Sequence, residues 1–175
     1  MASPRGMDIR PTTDRVREAI FNIIGHDLSG LKVLDLFAGT GILGIEALSR
    51  GAGLVIFIDK SQRSIKLIKK NLAICGYQSS GKILKLDLRM GIPKSHPVSQ
   101  QGFDLIFLDP PYGKNLITPI LEKISTTSIV LNGSYVIAEL SKTENLPRAI
   151  GNLEMADTRI YGDTKITIYT NEVTI

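Results

Sequence analysis

The chain has 175 residues, 43% of them hydrophobic and 22% charged, a length and mixture that suit one compact domain with its own core. One cysteine, Cys75, excludes an internal disulfide framework and fits a reducing cytoplasm, while no apolar run reaches membrane-spanning length and the start, Met1 to Met7, has no apolar stretch that could serve as a signal sequence. A net charge of +4 permits a nucleic-acid partner without demanding one.

After a basic, proline-containing start, Thr12 or Thr13 can cap a helix that runs to about 22–24. Val16, Ala19, Ile20, Ile23 and Ile24 give it one apolar face, and Gly25 ends it. Residues 32–37 read as a buried strand, followed by a glycine turn and a helix through Glu46 and Leu48. Residues 54–58 form a second strand ending at Asp59, and a helix over 61–74 turns Ile65, Ile68 and Leu72 inward. The third strand covers 82–86 and ends at Asp87. Prolines, serines and glutamines make 91–102 a loop. A fourth, almost continuously apolar strand spans 103–108 and ends at Asp109. Thr118-Pro119 opens another helix as a cap followed by proline. Asn132-Gly133 turns into a strand over 135–140, and 158–161 with 164–170 flank Gly162-Asp163 as a hairpin. Strands alternating with helices predict a mostly parallel sheet covered on both faces, with the terminal hairpin as its antiparallel element. With no repeat and no linker, residues 1–175 read as a single domain.

Gly39, Gly41 and Gly44 stand as G-x-G-x-x-G between a strand and a helix. Such spacing allows a tight turn and close approach of backbone to a ligand, and nicotinamide enzymes carry it too. Asp59, twenty positions after Gly39, can accept both hydroxyl hydrogens of an adenosine ribose, which fits NAD as well as S-adenosyl-L-methionine. Asp35 discriminates between them. A dinucleotide needs the helix N-terminus free for its pyrophosphate, whereas a carboxylate near the loop suits the ammonium and sulfonium of S-adenosyl-L-methionine. Asp87 can bond the adenine amino group, although taken alone it reads better as a strand-end acid capping a loop.

Asp109-Pro110-Pro111-Tyr112 closes the fourth strand, at the sheet edge where open parallel sheets bind ligands. Two successive prolines stiffen the chain and remove two amide donors, so the Pro110 carbonyl can face a ligand beside the Asp109 carboxylate. Tyr112 offers a ring on which a base can stack. An exocyclic amine is a poor nucleophile because its lone pair is delocalised into the base. Hydrogen bonds from its two hydrogens to Asp109 and the Pro110 carbonyl pull the nitrogen toward tetrahedral geometry and aim the lone pair at the sulfonium methyl. Positioning of this kind can supply on the order of 7–11 kcal/mol. No metal is needed, and His26 and His96 are far apart and read as surface loop residues.

The run from Arg10 to Glu18 (Arg-Pro-Thr-Thr-Asp-Arg-Val-Arg-Glu), Asp35-Leu36-Phe37-Ala38-Gly39-Thr40-Gly41, Asp109-Pro110-Pro111-Tyr112 and Tyr161-Gly162-Asp163-Thr164 together resemble the bacterial small-subunit (16S) ribosomal RNA guanine-N2 methyltransferases, over about residues 8–170. The Asp-Pro-Pro-Tyr box alone is shared with N6-adenine DNA methyltransferases. The resemblance implies a Rossmann-like class I methyltransferase fold with a seven-stranded sheet whose last strand is inserted antiparallel. It implies S-adenosyl-L-methionine as cofactor, held by Asp35, Ala38, Gly39, Gly41, Asp59, Lys60, Asp87 and Leu88. Asp109, Pro110, Pro111 and Tyr112 meet the target base, and Arg10, Thr12, Arg15 and Arg17 contact RNA. The implied partner is 16S rRNA or an assembling small subunit in the cytoplasm. Only nine residues precede Arg10, where family members carry a glycine-rich basic β-hairpin. Either the sequence is truncated there or RNA is bound with a reduced surface, which bears on RNA affinity more than on methyl transfer.

Lys60, Arg63, Lys66, Lys69 and Lys70 give one helix a basic outer face, read as a solvated surface opposite Ile65, Ile68 and Leu72. Arg10, Arg15 and Arg17 are the better RNA candidates, and their phosphate contacts would position the substrate and make binding salt-dependent. Guanine N2 is reached only when the base is splayed from its stack. A nicotinamide-dependent oxidoreductase and a non-catalytic RNA-binding module are the readings from other classes.

Overall fold

Val16 and Ile20, one helical turn apart, and the adjacent Phe21 are the buried residues of helix α1 (Asp14–Ile24), whose other face carries the charged side chains. The structure, a computed structural model, describes residues 14–111, 113 and 115–171. It divides into two compact units, one ending at Asp87 and the other beginning at Leu88.

The first unit continues through β1 (Lys32–Leu36), α2 (Ile42–Ser49), β2 (Leu54–Asp59), α3 (Gln62–Cys75) and β3 (Gly81–Lys85). Its strands lie in the order β3-β2-β1, all parallel, with Lys32 opposite Leu54 and Val55 opposite Gly81. Val33, Leu34 and Leu36 of β1 and Val55 to Ile58 of β2 are buried, the apolar run expected of parallel strands covered on both sides, broken in β1 only by Asp35. Ser61 caps α3, its hydroxyl accepting the Ser64 amide at 3.4 Å, and Ile65, Ile68 and Leu72 face inward as their spacing predicts.

The second unit holds two short 3-10 turns (Leu88–Met90 and Pro97–Gln100), β4 (Phe103–Leu108), α4 (Ile117–Ser125), β5 (Val130–Ser141), β6 (Ala149–Ile150), β7 (Leu153–Tyr161) and β8 (Thr164–Thr170). The strands are ordered β4-β5-β8-β7-β6. The β4–β5 pair is parallel, with Leu108 opposite Ala138, and every later pair is antiparallel. The α/β class and the antiparallel C-terminal strands therefore match expectation.

Several boundaries differ. Phe37 is not in β1: its φ is 61°, a left-handed value that costs a bulky residue about 1–3 kcal/mol and ends the strand one residue early. The third strand sits one residue earlier than its apolar pattern indicates, so Asp87 lies two residues beyond its end. The loop over 91–102 contains a 3-10 turn, for which the His96 ring accepts the Val98 amide. Thr118 does not cap α4. The cap position is Leu116, and Pro119 falls third in the helix, still within the first turn, where amides have no intrahelical acceptor to lose. Asn132-Gly133 does not precede β5 but lies inside it. Gly133 has φ 75° and donates its amide to the Asn171 carbonyl at 2.7 Å, and the register with β4 shifts across this stretch. The described residues hold eight strands rather than seven, because the two-residue β6 adds one.

Candidate active site

The turn after β1 is built around one carboxylate. Asp59, at the tip of β2, accepts the Gly39 amide on Oδ2 at 2.9 Å and the Ser61 amide on Oδ1 at 2.7 Å. It thereby ties the glycine turn to the start of α3, and each oxygen keeps a second lone pair for a ligand hydroxyl. Ala38, buried, donates its amide to the Ile58 carbonyl. Gly41 is the cap residue of α2 with φ 78°, a conformation that glycine adopts without penalty. Behind it, the buried Asn71 side chain donates to the Thr40 carbonyl at 3.0 Å and holds the turn in place.

The third glycine serves packing. A β-carbon at Gly44 would stand 2.3 Å from Phe57 Cε1 and 2.8 Å from Val55 Cγ1, so α2 reaches β2 only because this residue has no side chain. The Gly44 amide, in the first turn of α2, donates to Asp35 Oδ2 at 3.1 Å. Asp35 is 2% exposed. Burial pushes its carboxyl up to about 7, with the Gly44 bond opposing and the Asp59 charge adding to the rise. A cation placed against it would restore the ionised form.

Beside this turn lies an open cleft of about 510 Å³ lined by Lys60, Ser61, Lys85, Leu86 and Asp87, within the size range of small-molecule sites. Three predicted cofactor residues, Asp59, Lys60 and Asp87, are thus gathered: the Leu86 amide donates to the Asp59 carbonyl at 3.1 Å, and Lys60 and Asp87 line the cleft itself. Leu88 is buried in the first 3-10 turn of the second unit.

In the second unit, Asp109 and Pro110 follow β4 directly, with Asp109 half-buried, Pro110 buried and Pro111 exposed. Arg10, Thr12 and Tyr112 lie outside the described residues. Arg15 is exposed on α1. Arg17 instead bonds Asp14 at 2.7 Å and approaches Glu46 Oε2 at 3.6 Å. Glu46 also takes the Arg50 guanidinium at 2.8 Å, which lies 4.6 Å over the Phe21 ring and within 2.7 Å of His26 Nδ1. Arg17 is therefore engaged in fastening α1 to α2, which leaves Arg15 the more available of the two for a phosphate.

The sequence reading missed a second cleft, about 450 Å³, where Asn115, Thr118 and Glu122 face Glu144, Asn145 and Leu146 of the loop after β5. Lys165 of β8, only 7% exposed, pins that loop by donating to the Glu144 carbonyl at 2.5 Å and to Asn145 Oδ1 at 2.9 Å. Tyr169 adds a bond to the Pro147 carbonyl at 2.6 Å, and burial pushes its hydroxyl up to about 12. No short motif marks these residues. Among the described residues no helix is long and apolar enough to cross a membrane, and no group of three or more His, Cys, Asp or Glu side chains gathers as a metal site would require.

A family model described as conserved hypothetical protein 95 matches residues 1–170. A Bacillus subtilis relative, named as the candidate rRNA methyltransferase YlbH, is 37% identical over 166 residues, covering 94% of this chain and 89% of its own. Ribosomal RNA small subunit methyltransferase D of Escherichia coli is 27% identical over 169 residues, covering 97% of this chain and 83% of its own. An RNA methyltransferase from Salinibacter ruber, solved in complex with S-adenosyl-L-homocysteine, shares the fold at TM-score 0.68 and 17% identity, covering 95% of this chain and 96% of that one.

Proposed function

The chain belongs to the conserved hypothetical protein 95 family, and we propose that it transfers a methyl group from S-adenosylmethionine to the exocyclic N2 amine of a guanine in small-subunit (16S) ribosomal RNA. The observation that carries the reading is Asp35. The turn it underlies has the glycine spacing of a dinucleotide site, yet an amide of the α2 first turn, which a pyrophosphate would need, is already bonded to a buried carboxylate. An anionic cofactor is repelled there and a cationic one welcomed. Relatives named as rRNA methyltransferases support methyl transfer to rRNA. The S-adenosyl-L-homocysteine bound by the Salinibacter ruber protein supports the cofactor.

The residues present fit this cofactor. Asp35 offers a buried counter-charge for its ammonium group, Asp59 keeps free lone pairs for the ribose hydroxyls, and Asp87 lies in the neighbouring cleft for the adenine amine. When bound, S-adenosylmethionine supplies an electrophilic methyl on a good leaving group. Asp109 and the Pro110 carbonyl accept the two N2 hydrogens and aim the nitrogen lone pair. On methyl transfer from the bound cofactor, the amine proton would pass along its hydrogen bond to Asp109 or to water. Tyr112 stacks on the base, and Arg10, Thr12 and Arg15 contact RNA phosphates or sugars, giving salt-dependent binding. The work takes place in the cytoplasm on rRNA in an assembling small subunit, within one functional domain.

The test is incubation with methyl-labelled cofactor and unmodified small subunits, followed by mass spectrometry of the nucleosides. N2-methylguanine is expected. Label found only in N6-methyladenine would move the chain to the adenine enzymes, and calorimetric binding of a nicotinamide dinucleotide without S-adenosylmethionine binding would remove it from the methyltransferases.

A further inference from the structure

We infer that the cleft between the start of α4 and the loop after β5 reads the Watson–Crick edge of the target guanine, Glu144 accepting from N1–H and Asn145 donating to O6; the inference rests on the guanine-N2 reading given above. Register puts the cleft at the same edge of the sheet as Asp109. Strands β4 and β5 are parallel with Leu108 opposite Ala138, so their carboxyl ends meet the same edge. Asp109 is the next residue on one, and the other runs three residues further to Ser141, whose carbonyl accepts the Glu144 amide and starts the loop. Asn115, six residues after Asp109, lines the opposite wall.

The polarity of the cleft is fixed. Lysine donates and never accepts, so the buried Lys165 ammonium holds the Asn145 amide with its oxygen inward. The amide NH₂ is left to donate to a ligand. Neither Glu122 nor Glu144 has a cationic or hydrogen-bonding side-chain partner among the described residues, and Glu144 is the more enclosed of the two. The cleft thus presents an acceptor and a donor side by side. Guanine offers the complement: with both N2 hydrogens taken by Asp109 and the Pro110 carbonyl, its N1–H donor and O6 acceptor remain. Adenine offers the reverse, an N1 lone pair facing the carboxylate and an amine facing the Asn145 amine, so it is rejected by repulsion as well as by lost bonds.

2-Aminopurine separates recognition from chemistry, because it keeps the 2-amine but has an unprotonated N1 and no O6. The measurement is kcat/KM on small-subunit RNA carrying guanine or 2-aminopurine at the nucleotide that the wild-type protein methylates. Wild type should favour guanine on the order of 100-fold. Asn145→Asp retains the bond to Lys165 but turns an anion toward O6. Transfer to guanine should fall at least about tenfold and transfer to 2-aminopurine should hold within about threefold. Glu144→Ala should narrow the preference to below about tenfold, and Glu122→Gln should leave it intact. Each preference is a ratio within one protein, so partial unfolding cancels. Preferences near the wild-type value in both Asn145→Asp and Glu144→Ala, including proportional loss on both bases, would overturn the inference while guanine methylation by wild type still stands. Wild type methylating no guanine at all would instead sink the guanine-N2 reading, and this inference with it.

Discussion

Replacing Asp35 with asparagine keeps the shape and an oxygen for the Gly44 amide while removing the charge. In the wild-type protein the Asp35 carboxyl is held near pH 7 by burial, against an ordinary value of 3.8. Between those values the folded protein keeps a proton that the unfolded chain has released, so stability falls as pH rises through this window. At about 1.4 kcal/mol per pH unit the loss approaches about 4 kcal/mol above pH 7, an upper figure because water penetration and relaxation reduce it. Asp35→Asn removes that loss: urea unfolding should find the two proteins alike near pH 4 and the variant more stable by about 2–4 kcal/mol at pH 8. The gain comes at the expense of binding. S-adenosylmethionine affinity in the wild type should rise as pH passes 7 and Asp35 ionises, and calorimetry on the variant should find weaker binding without that rise. A stability difference between the two proteins that is the same at every pH would refute the account of Asp35.

Asp109→Ala should abolish methyl transfer while sparing S-adenosylmethionine affinity, whereas Asp59→Ala, which strips acceptors from the Gly39 and Ser61 amides, should weaken that affinity by calorimetry; equal losses in both would contradict the division of roles. Gly44→Ala gains about 1 kcal/mol of helix propensity but drives a methyl into Phe57 and Val55, and overpacking of about 1–3 kcal/mol should leave it destabilised in urea unfolding. A stabilised variant would show that α2 can lift from β2. Lys165→Met deprives the Glu144 carbonyl and the Asn145 amide oxygen of their donor and should cost about 1–3 kcal/mol of unfolding free energy; a loss below about 0.5 kcal/mol would mean that the loop is held by other contacts.

Where burial on both faces demanded an almost continuous apolar run, the sequence reading found the element to the residue, as in β4 over Phe103–Leu108. It slipped where pattern and backbone part company. β3 is half-exposed and short of apolar residues, so its register against β2 rather than its hydropathy sets its ends. β6 has two residues, too few for any periodicity. Phe37 looks like strand and is a left-handed turn residue, because the demand for the turn comes from the glycines that follow. The turn that Asp35, Asp59 and the glycines build was legible because a tight strand-to-helix turn draws on those residue types at those intervals. That Gly44 serves packing was not, since the ring it admits lies on another strand. Lys165 was hidden for the opposite reason. A lysine in an alternating strand reads as a solvent-facing position, yet β8 is covered on both sides and Lys165 is buried with its charge turned to a neighbouring loop.

Asp59 joins two turns that are far apart in the chain through a single rigid group, one oxygen to each. Whatever draws on those oxygens is sensed at both places at once. A guest whose hydroxyls settle there should slow deuterium uptake at the Gly39 and Ser61 amides in step, so the glycine turn and the start of α3 would tighten or loosen together as one hinge-free piece.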